Sequence, residues 1–327
     1  MDKVLVTGGR GFLGKHIVSN LLKSGYEVRI LARPNGDKGS GKRLEHHVIC
    51  GDIRDPEKVN KAVDGMDKVI HLVSNFRKGG SDEKEAYTIN VEGTENVLKA
   101  CLKFDVKKLL HCSTIGVHGD VQEIPADENT PFNPGDLYQE TKLIAEKRVW
   151  KFYKETGLPI SVIRPISMFG PGDLRMLKLF RMINKGRFVI VGNGNALFQP
   201  AYIDDVVKGF MLCLNSDRAT GEAFIIGGEE YVPLKELFRL IAEELGVKPP
   251  KVKIPMFPVN ILAMLCEKMC APFNIEPPLH RRRVSFFKNN RAFKINKAKK
   301  KLGYLPEVSL REGIKRTISW YKDHGLI

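Results

Sequence analysis

Tyr138 and Lys142 stand four residues apart, which on a helix places a phenol and an ammonium on one face, one turn from each other. A positive charge beside a phenol favours the phenolate and draws its pKa from about 10 toward the working range. Such a pair can carry a proton to or from a carbonyl oxygen. Ser113 and Thr114 offer hydroxyls at the end of the apolar run 108–113, and a hydroxyl there can orient a substrate oxygen.

A second constellation opens the chain. Thr7-Gly8-Gly9-Arg10-Gly11-Phe12-Leu13-Gly14 puts glycines at 8, 11 and 14 between a β-branched run and an amphipathic segment. Glycines so spaced allow a tight turn, let backbone approach a pyrophosphate, and let a helix pack closely on a strand, while the helix start supplies N–H groups and positive dipole. The motif predicts dinucleotide binding. The end of the second run, Ile30-Leu31-Ala32-Arg33-Pro34, holds no acid to accept from a ribose 2′-hydroxyl. Arg33 and Arg10 can instead grip a 2′-phosphate, so NADP is expected in preference to NAD. Lys142 can hold the nicotinamide ribose. Asp52 and Ile53, after the third run, suit the adenine amino group and ring, and Asp52 alternatively suits a helix cap.

The elements that must position these residues read as an α/β fold. Strands are expected over 4–7, 28–31, 47–50, 68–73, 108–113 and 160–164, each nearly continuous in apolar character, as in strands covered on both faces. Helices are expected over 12–24, 84–104 and 137–156. Alternating strands and crossover helices predict a doubly wound parallel sheet, a Rossmann domain over 1–165. Beyond Pro165 the pieces are short and proline-rich, with helices over 234–245 and 310–322. Residues 166–327 read mainly as a smaller substrate-binding region with a basic end, with pieces near 188–227 returning to the first domain. Residues 34–42 read as a flexible loop.

Composition bounds the rest. The 327 residues are 43% hydrophobic and 28% charged, which excludes a disordered, collagen-like or disulfide-stapled chain. Six scattered cysteines, no apolar leader and no long apolar span predict a cytoplasmic protein with reduced thiols and no metal site. Lys and Arg number 53 against 38 Asp and Glu, a net +15; residues 280–327 alone carry fourteen bases against three acids. Such a field permits nucleic acid, acidic lipid or a phosphorylated cofactor, and a solvated basic surface is the plainer account.

Together the glycine loop, Gly51-Asp52-Ile53, Ala62-x-x-Gly65-x-Asp67-x-Val69-Ile70-His71-Leu72, Asn90-Val91-x-Gly93-Thr94-x-Asn96, Ser113-Thr114, Tyr138-x-x-x-Lys142 and Arg164-Pro165 resemble an extended short-chain dehydrogenase/reductase. The resemblance runs from Met1 through at least Asp205, and Leu302-Gly303-Tyr304-x-Pro306 and the stretch 313–320 also fit. It implies Tyr138 as general acid/base, Lys142 as its electrostatic partner and Thr114, rather than Ser113, as the hydroxyl residue. It also implies cofactor contacts from Phe12, Leu13, Leu72, Asn90 and Pro165 beside the glycines, and a homodimer through the helices at 84–104 and 137–156.

Two departures bear on the branch. Sugar-nucleotide members resemble one another in an Asn where this chain has Ser167, and usually in an Arg just before the segment matching Tyr202-Ile203-Asp204-Asp205, where Pro200 and Ala201 stand here. The apolar stretch 256–271, followed by His280-Arg281-Arg282-Arg283, resembles the cap of the 3β-hydroxysteroid dehydrogenase and dihydroflavonol reductase branch. The expectation is an NADP-dependent oxidoreductase acting on an apolar hydroxyl or ketone. The alternatives are a nucleotide-sugar epimerase or dehydratase using the same groups, and a dinucleotide-binding scaffold that holds nucleic acid. The stretch 256–283 suits core packing, with Cys266 and Cys270 as buried thiols, or contact with an anionic membrane surface.

Overall fold

The computed structural model describes residues 2–33, 47–76, 83–273 and 277–327. The expected loop at 34–42 lies outside them. Six strands follow the apolar runs: β1 (Lys3–Thr7), β2 (Glu27–Ala32), β3 (Val48–Cys50), β4 (Lys68–His71), β5 (Lys108–Cys112) and β6 (Ile160–Pro165). A seventh, β7 (Ala223–Ile226), comes from the later half of the chain and pairs in parallel with β6. The sheet is parallel throughout, in the order β7-β6-β5-β4-β1-β2-β3. That is the doubly wound Rossmann arrangement.

Side chains alternate across a strand, so each strand feeds two cores. Val4 and Val6 face one cluster with α1 (Phe12–Lys23), while Leu5 faces the other with α2 (Pro56–Val63). Both faces are therefore apolar, which is why the runs read as continuous. The first face is completed by α6 (Leu177–Asn184), α7 (Ile203–Asn215), α8 (Leu234–Leu245) and α12 (Leu310–Asp323). The second is completed by α4 (Gly93–Lys103) and α5 (Leu137–Thr156). Apolar positions of α4 and α5, including Val97, Leu98 and Val149, pack in this core. Their outward positions include the exposed Lys99, Lys147 and Lys151.

The expected helix over 84–104 is interrupted. It runs as α3 (Glu83–Tyr87), a wider π-helical turn at Thr88–Glu92, and α4. Asp136 in extended conformation caps α5 by accepting from Gln139 N, which fixes where Tyr138 enters the first turn. Gly157 closes the helix in the left-handed region.

Past β6 the chain forms short strand pairs, among them Ser167–Phe169 with Pro200–Tyr202, and the helices α9 (Met256–Cys270), α10 (Arg281–Ser285) and α11 (Asn296–Leu302). Many bases of the C-terminal end are ion-paired: Lys297 and Lys301 with Glu222, Lys299 with Glu229, Arg311 with Glu243 and Glu244, and Arg316 with Glu312. The local charge excess is thus partly neutralised within the fold.

Core packing does not describe α9. Of its side chains only Ala263 is fully buried, and none joins either core cluster. Cys266 and Cys270, expected as buried thiols, are only half-buried.

Candidate active site

The glycine loop turns at the end of β1. Gly8 has φ +75, a conformation open to glycine, and Gly11 N donates to Gly8 O at 2.9 Å to close the turn. A Cβ on Gly14 would lie 2.2 Å from Gly8 O and 2.7 Å from Gly9 Cα, so helix and loop touch backbone to backbone. Gly11 is the N-cap of α1 and brings no side chain to the first-turn N–H groups, which leaves them for an anion. The cradle fits a dinucleotide pyrophosphate.

Around it the expected residues divide. Phe12 stays at the surface of the loop with the Arg175 guanidinium 4.7 Å over its ring, and Gly172 is beside it. Leu13 is different: its side chain is in the core, so only its N–H can serve the site. Arg10 is half-buried and Arg33 is exposed at the end of β2. Asp52 is gripped through both oxygens by Arg54, at 2.9 and 2.8 Å. The Arg54 bond, with a lesser contribution from Arg33, holds the Asp52 carboxyl below the usual carboxylate range. The adjacent cap is Asp55, which accepts from Glu57 N and Lys58 N ahead of Pro56. Asp52 is therefore neither the cap nor an uncommitted acceptor. Ile53 is buried in the second core, where it would meet a Cβ on Gly93 at 2.7 Å, so its side chain serves packing rather than a ring. Arg54 went unread in the sequence because nothing local marks which base an Asp will hold.

Asn90, expected at the cofactor, has both ends of its amide occupied inside the protein. Its Oδ1 accepts from Asn75 N at 2.7 Å and its Nδ2 donates to Thr141 Oγ1 at 2.8 Å. It ties the loop after β4 to the helix that carries Tyr138 and Lys142. The π-helical turn puts Asn90 in the buried layer between them.

A neighbouring chain of bonds links that turn to the glycine loop. Thr94 Oγ1 donates its one hydrogen to Asn90 O at 2.7 Å, so at the 3.0 Å contact with His71 Nε2 it must accept. His71 is then protonated on Nε2, and its Nδ1 accepts from Thr7 Oγ1 at 2.7 Å. Complete burial pushes the His71 pKa down to about 3, with the charge of Lys142 adding to the shift, so the ring is neutral. Leu72 N in turn donates to Thr7 O and Thr7 Oγ1, which holds half-buried Leu72 beside the glycine loop.

On α5, Lys142 is 2% exposed and donates from Nζ to the carbonyl oxygen of Cys112 at 2.7 Å. Burial lowers its pKa below the ordinary lysine value. Tyr138 is half-buried, with its ring edge-on to Phe76 at 4.8 Å between centroids. The two hydroxyls after β5 part company. Ser113 is buried and donates to Glu146 Oε2, within a cluster where Arg164 and Trp150 also bond Glu146. Thr114 is half-buried; its Oγ1 accepts from Gly116 N at 3.0 Å, which leaves its own hydrogen to donate. Pro165 closes β6 at the same carboxyl edge of the sheet. A cleft of about 460 Å³ opens at the start of α5, lined by Gly135, Asp136 and Gln139 and, from the later elements, by Glu267, Arg281, Ser285 and Asn289.

A nucleotide cradle and a Tyr–Lys helix meeting at one edge of a parallel sheet define a dinucleotide-dependent enzyme. The chain belongs to the NAD dependent epimerase/dehydratase family, whose model matches residues 4–227, and within it to the extended short-chain dehydrogenases/reductases. It is 33% identical to 3beta-hydroxysteroid-dehydrogenase/decarboxylase isoform 1 of Arabidopsis thaliana over 96% of this chain and 78% of that protein. It is 31% identical to 3 beta-hydroxysteroid dehydrogenase/Delta 5-->4-isomerase of Mycobacterium tuberculosis over 98% of this chain and 90% of the relative. Among solved structures, that of gox2253 superposes with a TM-score of 0.84 at 31% identity, covering 100% of both chains. UDP-glucose 4-epimerase of Thermotoga maritima, solved with UDP-glucose, gives 0.81 at 25% identity over 98% of this chain and 99% of the other.

Proposed function

We propose that the protein is an oxidoreductase acting on a carbinol or ketone carbon of an apolar substrate, with NADP as the preferred cofactor. The observation that carries the substrate class is the strand pair Ser167–Phe169 with Pro200–Tyr202, in which Ser167 is the partner of Pro200 and Met168 of Ala201. These are the positions where sugar-nucleotide members resemble one another in an Asn and an Arg. Here neither an amide nor a guanidinium stands at either, so a substrate diphosphate would meet from them only the Ser167 hydroxyl and no cation.

A bound nicotinamide supplies or accepts the hydride. Tyr138 gives its proton to the oxygen as a ketone is reduced and takes it back as a carbinol is oxidised. The Lys142 ammonium favours the phenolate and, anchored on Cys112 O, keeps its place through the cycle. Thr114 donates to the same substrate oxygen and orients it, using the hydrogen that the bond accepted from Gly116 N leaves available. Phe76 restricts the Tyr138 ring.

The NADP preference rests on cations at the edge where the adenosine ribose belongs. Arg33 is exposed at the end of β2, Arg10 is in the glycine loop, and the nearby Asp52 carboxylate is already held by Arg54. A 2′-phosphate finds bases there, and a 2′-hydroxyl finds no uncommitted acid.

The likeness to UDP-glucose 4-epimerase supports a second reading, epimerisation with hydride returned to the substrate. Incubating the purified protein with NADPH and apolar ketones distinguishes the two. Net NADPH oxidation supports the oxidoreductase; tightly retained cofactor that shows no net turnover while a UDP-sugar is epimerised overturns it.

A further inference from the structure

The helix α9 presents an apolar surface that the fold leaves uncovered. Its less exposed positions, Val259, Ala263, Cys266 and Cys270, recur every three or four residues, and the helix neighbours α10 and the segment that follows it. On the other side Phe257 is 75% exposed, Leu262 58%, Leu265 46% and Met269 72%, and Phe273 just beyond the helix is 73%. An apolar patch of this kind on a soluble chain marks a surface that meets something.

The charge around it says what. Residues 248–288 hold eight Lys or Arg against two acids, Glu267 and Glu276, and Glu267 is paired with Arg281 at 2.8 Å. Lys251 and Lys253 lead into α9, Lys268 lies within it, and Arg283 and Lys288 follow; all five are exposed. A second copy of this chain would bring the same basic rim and be repelled. An apolar face ringed by bases is complementary to a bilayer bearing anionic headgroups. The fifteen residues of α9 span roughly 22 Å at 1.5 Å per residue, short of the ~30 Å hydrocarbon core, and no described helix is long and apolar enough to cross a membrane.

We propose that α9 lies in the plane of an anionic membrane surface, with Phe257, Leu262, Leu265 and Met269 among the acyl chains and the basic rim on the headgroups. Glu267 and Arg281 also border the cleft beside Gln139, so this docking places the mouth of the cleft at the lipid. The docking stands apart from the oxidoreductase reading, because it requires no turnover.

Sedimentation of the full chain with vesicles tests it, using phosphatidylcholine alone and phosphatidylcholine mixed with phosphatidylglycerol, in the absence of substrate. Binding is expected to the anionic vesicles, falling as salt rises. The double variant Leu265→Glu/Met269→Glu, altered at exposed positions and checked for an unchanged melting temperature, is expected to partition roughly tenfold or more weakly. No binding to anionic vesicles at low salt, or undiminished binding by the folded variant, overturns the proposal. Self-association lost in that variant without any vesicle binding assigns the face to a second copy instead and equally overturns it.

Discussion

Lys142 reaches from α5 to the carbonyl oxygen of Cys112 at 2.7 Å, so the ammonium one turn from Tyr138 is moored to the strand that delivers Thr114. The proposed proton donor, its neighbouring charge and the proposed orienting hydroxyl thus sit on two elements tied together by the Lys142–Cys112 bond and by the buried Ser113–Glu146 bond. The proton-transfer role makes Tyr138→Phe the first test: kcat should fall by about 10²- to 10⁴-fold, with cofactor affinity nearly unchanged. Steady-state kinetics and a cofactor titration measure both, and a variant that keeps wild-type kcat refutes the role.

Ser113 and Thr114 are adjacent and chemically alike, yet their partners differ. Thr114→Ala should lower kcat with little effect on stability. Ser113→Ala should do the reverse, losing about 1.5–3 kcal/mol of stability because a buried bond to the charged Glu146 disappears. Turnover and denaturant midpoints on the two variants would expose a reversal of these assignments.

Arg33 should decide the cofactor. Wild-type protein is expected to bind NADP about tenfold or more tightly than NAD, and Arg33→Asp to abolish or invert that ratio, a change of at least about 1.4 kcal/mol. Equal affinities in the wild type would remove the NADP assignment. Lowering the salt should widen the ratio if charge is responsible.

His71 makes stability depend on pH. The folded ring stays neutral down to about pH 3, whereas the unfolded ring takes a proton near 6.5, so between these values the unfolded state binds more protons. Stability is fully present above pH 6.5 and falls as the solution is acidified through that window. At pH 5 the loss from this one ring is about 2 kcal/mol. Urea unfolding at pH 7.5 and pH 5 should therefore show a smaller drop for His71→Gln than for the wild type; identical drops would contradict the buried neutral ring.

The six strands were legible because a strand covered on both faces leaves no polar positions to break the run. The strand Ala223–Ile226 was legible only as one of the pieces near 188–227 returning to the first domain, since four apolar residues between Gly221 and Gly227 resemble any short buried segment. The glycine loop, Tyr138 and Lys142 showed themselves by local spacing, whereas the duties of Asn90, Asp52 and Ser113 depend on Thr141, Arg54 and Glu146, and no periodicity announces such pairings. The exposure of α9 escaped for another reason. Val259 and Ala263 on its inner side are as apolar as Leu262 and Leu265 on its outer side, so composition could not say which way it faces.

The pairing of Ala223–Ile226 with Ile160–Pro165 means that the outermost strand is made some sixty residues after its neighbour. A nascent chain halted anywhere in that interval carries an open sheet edge of buried-type residues, a template for pairing with a wrong strand. Synthesis of this protein thus passes through a period in which the nucleotide cradle is already translated but its supporting sheet is not yet closed, and that interval is where chaperone contact should concentrate.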